Sequence, residues 1–252
     1  MKKWRWWQKM LLGILVVFLF VTAGGSLYLK ENTYEPSKTA TVIKPTKATK
    51  DYELFVSSQP NKNEEQTNLI FYPGALVAPA SYRIWAQAVA DAGYSVYVLK
   101  LPLNLAVLAP NKADVVLGKN AKAKNAKAKN ILVGHSLGGV MTSRYGQNHQ
   151  KEIAGMIFLA SYPDEKGSLK KVNIPVLSIT ASQDQVLNKT QYQKSKAYLP
   201  DNTTFLEIKG GNHAGFGSYG AQKGDGKATI SNSQQQKELS EAIINWLKKI
   251  KS

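Results

Sequence analysis

Cysteine is absent from this chain. That absence excludes disulfides, thiolate metal sites, a cysteine nucleophile and a lipidated N-terminal cysteine. It fixes no compartment, because a disulfide-free fold works on either side of a membrane. Acidic residues are few, 17 against 33 basic ones, for a net charge of +16. Such a balance favours anionic membranes, nucleic acid or acidic polymers. No basic groove interleaved with aromatics stands out, so the lysines read as a solvated surface and nucleic acid is not expected as a partner. Histidine is scarcer still, with three in 252 residues. No clustered acids and histidines suggest a metal.

One long uncharged run is present. Met10–Leu29, MLLGILVVFLFVTAGGSLYL, has the length of a membrane-crossing helix, about 30 Å at 1.5 Å per residue. Lys2, Lys3, Arg5 and Lys9 precede it and suit the cytoplasmic side, while Trp4, Trp6 and Trp7 suit the interfacial belt. Residues 1–29 are therefore expected to be a signal-anchor that places the rest of the chain outside the cytoplasm. The competing reading is a signal peptide cut near Val21-Thr22-Ala23, which would release a secreted protein. Residues 30–50 are rich in Lys and Thr and contain two prolines, so they read as an extended tether. The globular domain is expected over 51–252.

Within that domain, short apolar segments alternate with amphipathic ones. Strands are predicted in Tyr52–Ser57, NLIFYPG, YSVYVLKLP, ILVGH, IAGMIFLAS, PVLSITAS and TFLEIKG. Helices are predicted over Ser81–Gly93, with Ser81 as cap, and over Asp114–Lys129, Leu137–His149, KTQYQKSKAYL and Ser233–Ile250. Near-continuously apolar strands between amphipathic helices imply an α/β fold, with a mostly parallel sheet covered on both faces. Right-handed crossovers then bring the strand C-termini to one edge, where sites in such sheets form.

At that edge the chain writes Gly134-His135-Ser136-Leu137-Gly138. A serine at the tip of a sharp strand-to-helix turn takes strained backbone angles, and its neighbours must lack bulk. Its hydroxyl then stands near a helix N-terminus, which favours developing negative charge. The Gly-Lys-Ser/Thr pattern of a phosphate-binding loop is absent. A serine needs a base, usually a histidine oriented by a carboxylate. His135 adjoins the serine and reads as packing for the turn. His149 falls at the far end of the next helix and reads as a solvated terminal charge. His213 remains, in a loop beyond a strand C-terminus. Asp184, the only acid in the loop after PVLSITAS, is the expected carboxylate, with Asp164 and Glu165 in reserve and Asp201 at the wrong sheet edge. The expected oxyanion donors are the amides of Leu137 and of Ala75, with Leu76 as understudy. Tyr82 and Phe216, and Leu76 beside them, are candidate substrate contacts; Arg83 and Tyr219 are weaker ones.

The segments FYPGALVAPASY, ILVGHSLGG, SITASQDQV and GGNHAGFGSYGAQKGDG, spread over about 51–250, resemble the α/β-hydrolase family near its dienelactone-hydrolase-like and small bacterial esterase members. The resemblance implies the eight-stranded fold or a trimmed version, a Ser-Asp-His triad, and hydrolysis of carboxyl esters or related acyl bonds without a cofactor. Two departures stand out. Pro73 occupies the place where many members have histidine, and Ser136 the place where dienelactone hydrolases have cysteine. Only about fifteen residues separate the FLAS and PVLSITAS strands, too few for a large lid. The expected substrate is a small-molecule or lipid-like acyl ester. Two rival functions remain: acyl transfer to a cell-envelope acceptor, and a catalytically silent, membrane-tethered binding protein.

Overall fold

The computed structural model describes residues 6–57, 66–122 and 128–250. They divide into two compact units between Thr33 and Tyr34. The first unit is a single helix, α1 (Trp6–Glu31). Among the described residues, no helix is long and apolar enough to cross a membrane. The expected span Met10–Leu29 falls partly on side chains outside the described set, and its flanking Lys2, Lys3 and Arg5 lie wholly outside the described residues.

The second unit is built on one eight-stranded sheet. Its strands are β1 (Lys47–Ala48), β2 (Tyr52–Phe55), β3 (Thr67–Tyr72), β4 (Ser95–Leu99), β5 (Lys129–His135), β6 (Gly155–Leu159), β7 (Val176–Ala181) and β8 (Thr204–Ile208). They lie in the order β1-β2-β4-β3-β5-β6-β7-β8. β2 pairs antiparallel with both β1 and β4, whereas every pair among β3 to β8 is parallel. The six parallel strands therefore discharge their loops along one edge.

Successive residues of a strand point to opposite faces, and the two cores follow that period. On one face Leu69 and Phe71 of β3, Ile131 and Val133 of β5, and Ile157 and Leu159 of β6 pack with Trp85, Val89, Leu239, Ile243 and Trp246. Those partners come from α3 (Arg83–Asp91) and α7 (Asn232–Lys249). On the other face Ile70, Tyr72, Leu132, Met156 and Phe158 meet Val116, Leu117, Met141 and Tyr145. These belong to α4 (Asp114–Lys122) and α5 (Leu137–Asn148). Apolar side chains on both sides are why the strands read as continuous runs rather than alternating ones.

Three expectations change. The stretch 30–50 is not a tether beyond Thr33. Tyr34 N–H donates to Leu76 O at 2.7 Å and Tyr34 O accepts from Ala78 N at 3.0 Å. Ser37 caps the short helix α2 (Lys38–Val42), and β1 extends the sheet. Backbone pairing holds this strap, so its polar composition hides its order. Ser81 does not cap the helix after β3; it sits inside a 3-10 turn, Pro79–Tyr82, and α3 begins after Tyr82 with no side-chain cap. The helix predicted to Lys129 is described only to Lys122, and the lysine-alanine repeat at 123–127 lies outside the described residues, as does most of the polar turn after β2. Between β6 and β7 the chain makes a single 3-10 turn, Glu165–Gly167, capped by Asp164. Arg144 of α5 pairs with Asp164 and ties this turn to the helix.

Candidate active site

Ser136 stands where β5 passes into α5, with φ 52° and ψ −126°. A non-glycine residue there costs of the order of 1–3 kcal/mol, which the surrounding bonds must over-determine. They do: Ser136 N–H donates to Leu159 O at 3.0 Å, and Ser161 Oγ donates to Ser136 O at 2.5 Å. Gly138 must lack a side chain, since a Cβ would lie 2.3 Å from Tyr72 O and 2.4 Å from Pro73 O. The helix can thus approach the end of β3 only because of that glycine. Ser136 and Leu137 are half-buried.

Asp184 and His213 come from the loops of neighbouring strands. Beyond the last β7–β8 register pair, Ala181 with Ile208, those loops stay joined. Gln183 N–H donates to Gly211 O at 2.8 Å and Gly210 N–H to Ser182 Oγ at 2.8 Å. Both side chains are buried, and His213 Nδ1 lies 2.8 Å from Asp184 Oδ2. The carboxylate only accepts, so Nδ1 is the donor in this bond. The other oxygen, Asp184 Oδ1, accepts from the amides of Val186 at 2.9 Å and Leu187 at 2.8 Å, which fixes the carboxylate. His213 Nε2 is buried without a hydrogen-bond partner among the described residues, so no bond joins it to Ser136 Oγ.

Of the reserve acids, Asp164 is the partner of Arg144, whose hydrogen bond lowers its pKa, and Glu165 opens the 3-10 turn that Asp164 caps; Asp201, set aside on the sequence, pairs with Lys170. His149 stacks on Tyr145 at the end of α5.

The loop after β3 presents Ala75. Neither the Ala75 nor the Leu137 amide has a hydrogen-bond partner among the described residues. Leu76, the understudy, has its N–H committed to Asn104 O at 2.9 Å. The preceding amide, Gly74, donates to Tyr82 Oη at 3.0 Å, and the same hydroxyl bonds His135 Nδ1 at 2.9 Å. A Cβ on Gly74 would lie 2.7 Å from that nitrogen, so this close approach also requires glycine.

Two expected substrate contacts are therefore corrected. Tyr82 is wholly buried because the 3-10 turn directs it inward, where it holds the Gly74 amide. Phe216 is also wholly buried; it packs in the α3–α7 core, with its ring 5.7 Å from His135. His135 does more than pack the turn. Its ring lies 4.7 Å from that of His213, and its pKa is held well below the ordinary histidine value by burial first and by His213 second. Burial likewise raises Tyr82, which stays a neutral phenol.

Other supports carry little sequence signal. Asp225 Oδ2 accepts from Ala214 N at 2.8 Å, beside the histidine. Gln235 on α7 grips Asn212 through both its amide atoms, and Gln236 Nε2 donates to Gly215 O at 2.7 Å. For Asp225 the sequence offers only an acid between two glycines after the histidine; nothing in an amphipathic helix marks the two glutamines. Among the described residues no group of three or more metal-ligating side chains occurs.

A parallel sheet with a strained serine on its central turn and a buried acid–histidine pair at the same edge defines an α/β protein whose site lies on strand-end loops. Residues 68–237 match the alpha/beta hydrolase family, and the chain belongs to that family. Solved structures share its fold. A monoacylglycerol lipase from Paleococcus ferrophilus is 15% identical, covers 79% of this chain and 98% of its own, and has a TM-score of 0.59. Est1E from Butyrivibrio proteoclasticus is 13% identical over 79% of this chain and 93% of its own, with a TM-score of 0.58. A dienelactone hydrolase from Anabaena variabilis ATCC 29413 is 13% identical over 77% and 89%, with a TM-score of 0.55. At such identities the likeness is one of fold. No curated protein matches the chain.

Proposed function

We propose that the protein is a serine hydrolase that cleaves a carboxyl ester, or a related acyl bond, through an acyl-enzyme. One observation carries the reading: the buried 2.8 Å bond between Asp184 and His213 lies at the same sheet edge as a serine held at φ 52°. Asp184 fixes the tautomer in which His213 Nε2 is a base. Ser136 Oγ attacks the acyl carbon as Nε2 takes its proton, and the imidazolium then protonates the leaving alcohol. Water, activated by the same nitrogen, releases the acid. Oγ must swing onto Nε2 when substrate binds, a tightening that resting enzymes commonly undergo.

The amides of Ala75 and Leu137 are the donors for the oxyanion, and each such donor is worth about 10²–10³ in turnover. Tyr82 takes the Gly74 amide out of competition and so sets the direction in which Ala75 points. A neutral His135 matters in the same step, because a cation beside the forming His213 imidazolium would oppose proton transfer. The likeness to a lipase and an esterase adds support at the level of fold. Ser136→Ala is expected to lower hydrolysis of a p-nitrophenyl ester by several orders of magnitude while the thermal transition is retained. Equal turnover by the purified variant would sink the assignment and favour a silent binding protein, a rival to which the missing Ser136–His213 bond lends some weight.

The sequence of the N-terminal segment supports a signal-anchor over 1–29, with the hydrolase domain outside the cytoplasm. Membrane fractions should then hold a chain that retains Trp4–Leu29. A mature soluble protein that begins near Ala23 would mean a cleaved signal peptide instead.

A further inference from the structure

The loop that leaves β4 is apolar and exposed. Leu101–Asn111, LPLNLAVLAPN, has no charged residue in a chain that is 20% charged. Leu103, Val107 and Leu108 are 39%, 46% and 52% exposed. Leu103 and Asn104 hold φ of 51° and 53°, a left-handed conformation that a leucine adopts only under constraint. The loop is anchored on both sides. Asn104 O accepts from Leu76 N, next to Ala75, and the buried Ala106 heads a turn, Ala106–Leu108, that packs on α5. Three apolar side chains are thus fixed to the loop that carries the Ala75 amide and to the helix headed by Leu137.

We infer that Leu103, Val107 and Leu108 form the ledge that receives the hydrocarbon chain of the ester, which makes the substrate class a medium- or long-chain acyl ester. The inference rests on the esterase reading above. A polar or anionic acyl group would find no charge across eleven residues, whereas a hydrocarbon chain gains by covering exposed apolar surface. The Ala75 amide neighbours Leu76, whose N–H the loop holds, and the Leu137 amide heads the helix on which the loop packs.

The test compares kcat/KM for p-nitrophenyl acetate, butyrate and octanoate on the purified full chain and on a Leu103→Asn/Val107→Thr/Leu108→Gln variant. Asparagine suits the left-handed backbone at 103. Full burial of a methylene is worth roughly four-fold, so a half-covered chain gains about two-fold per methylene. Octanoate should exceed acetate on the order of 50-fold in the wild type. The variant should compress that ratio below about five-fold and leave acetate within about two-fold. Leu108→Gln alone, with an unchanged thermal transition, should compress it partially if the triple variant folds poorly.

Brisk acetate turnover with a flat chain-length profile would overturn the inference and leave the esterase reading intact. So would a variant with the wild-type profile; a changed mass in light scattering would then assign the ledge to contacts between copies. A wild type that hydrolyses none of the three esters and does not react with an octyl fluorophosphonate overturns both readings together.

Discussion

Replacing Tyr82 by phenylalanine removes one oxygen and leaves the ring in its core. That oxygen accepts the Gly74 amide at 3.0 Å and bonds His135 Nδ1 at 2.9 Å, and all three residues are buried. Each buried polar group left unpaired costs about 1–3 kcal/mol, so two of them cost roughly 2–6 kcal/mol. For a domain of about this size, 1 kcal/mol lowers Tm by about 2–4 °C, which predicts a fall of at least ~4 °C in differential scanning fluorimetry. The freed Gly74 amide also competes with Ala75 for the oxyanion. A drop of about 10²-fold in kcat is therefore expected, with KM little changed, because an oxyanion donor acts in the transition state. His135→Asn retains an acceptor for the hydroxyl and should cost far less than His135→Leu. A Tyr82→Phe protein with unchanged Tm and unchanged kcat would refute the idea that this hydroxyl organises the oxyanion loop.

Two further predictions follow from the same region. His135 has a depressed folded pKa through burial and the neighbouring His213, so below the ordinary value of about 6.5 the unfolded chain binds a proton that the folded one refuses. Stability should fall as pH drops below that value, by at most ~1.4 kcal/mol per pH unit for one proton, and His135→Asn should remove that part of the slope in urea titrations between pH 7 and 5. An identical slope in the variant would assign the proton elsewhere. Gly138→Ala brings a methyl to 2.3 Å from Tyr72 O, so α5 must move off the end of β3. Overpacking of this kind costs about 1–3 kcal/mol and should abolish turnover even where the protein folds, as urea midpoint and ester assay together would register.

Much of this architecture is legible in the sequence because burial on both faces writes long apolar runs, such as Leu69–Tyr72 and Ile131–Val133, that few other environments require. The serine turn is legible for a related reason, since close approach of α5 to β3 leaves no room for a side chain at Gly138. With three histidines, elimination reaches His213, and Asp184 is the one acid in its loop. The strap from Tyr34 onward was not legible, because main-chain atoms hold it and main-chain pairing leaves no trace in composition. The place of Tyr82 is not legible for a geometric reason: a 3-10 turn in place of a capped helix start rotates it from the surface to the interior. Nor does any pattern show that Gln235 and Gln236 brace the histidine loop, because a buried amide on a helix looks like a solvated one.

The central claim is that Ser136 is a nucleophile activated by His213. Intact-protein mass spectrometry after reaction with a fluorophosphonate tests it most directly. The account predicts one adduct, mapped to Ser136, absent in Ser136→Ala and slowed at least ~10²-fold in His213→Gln. A chain that stays unlabelled, or is labelled at another residue, would contradict it.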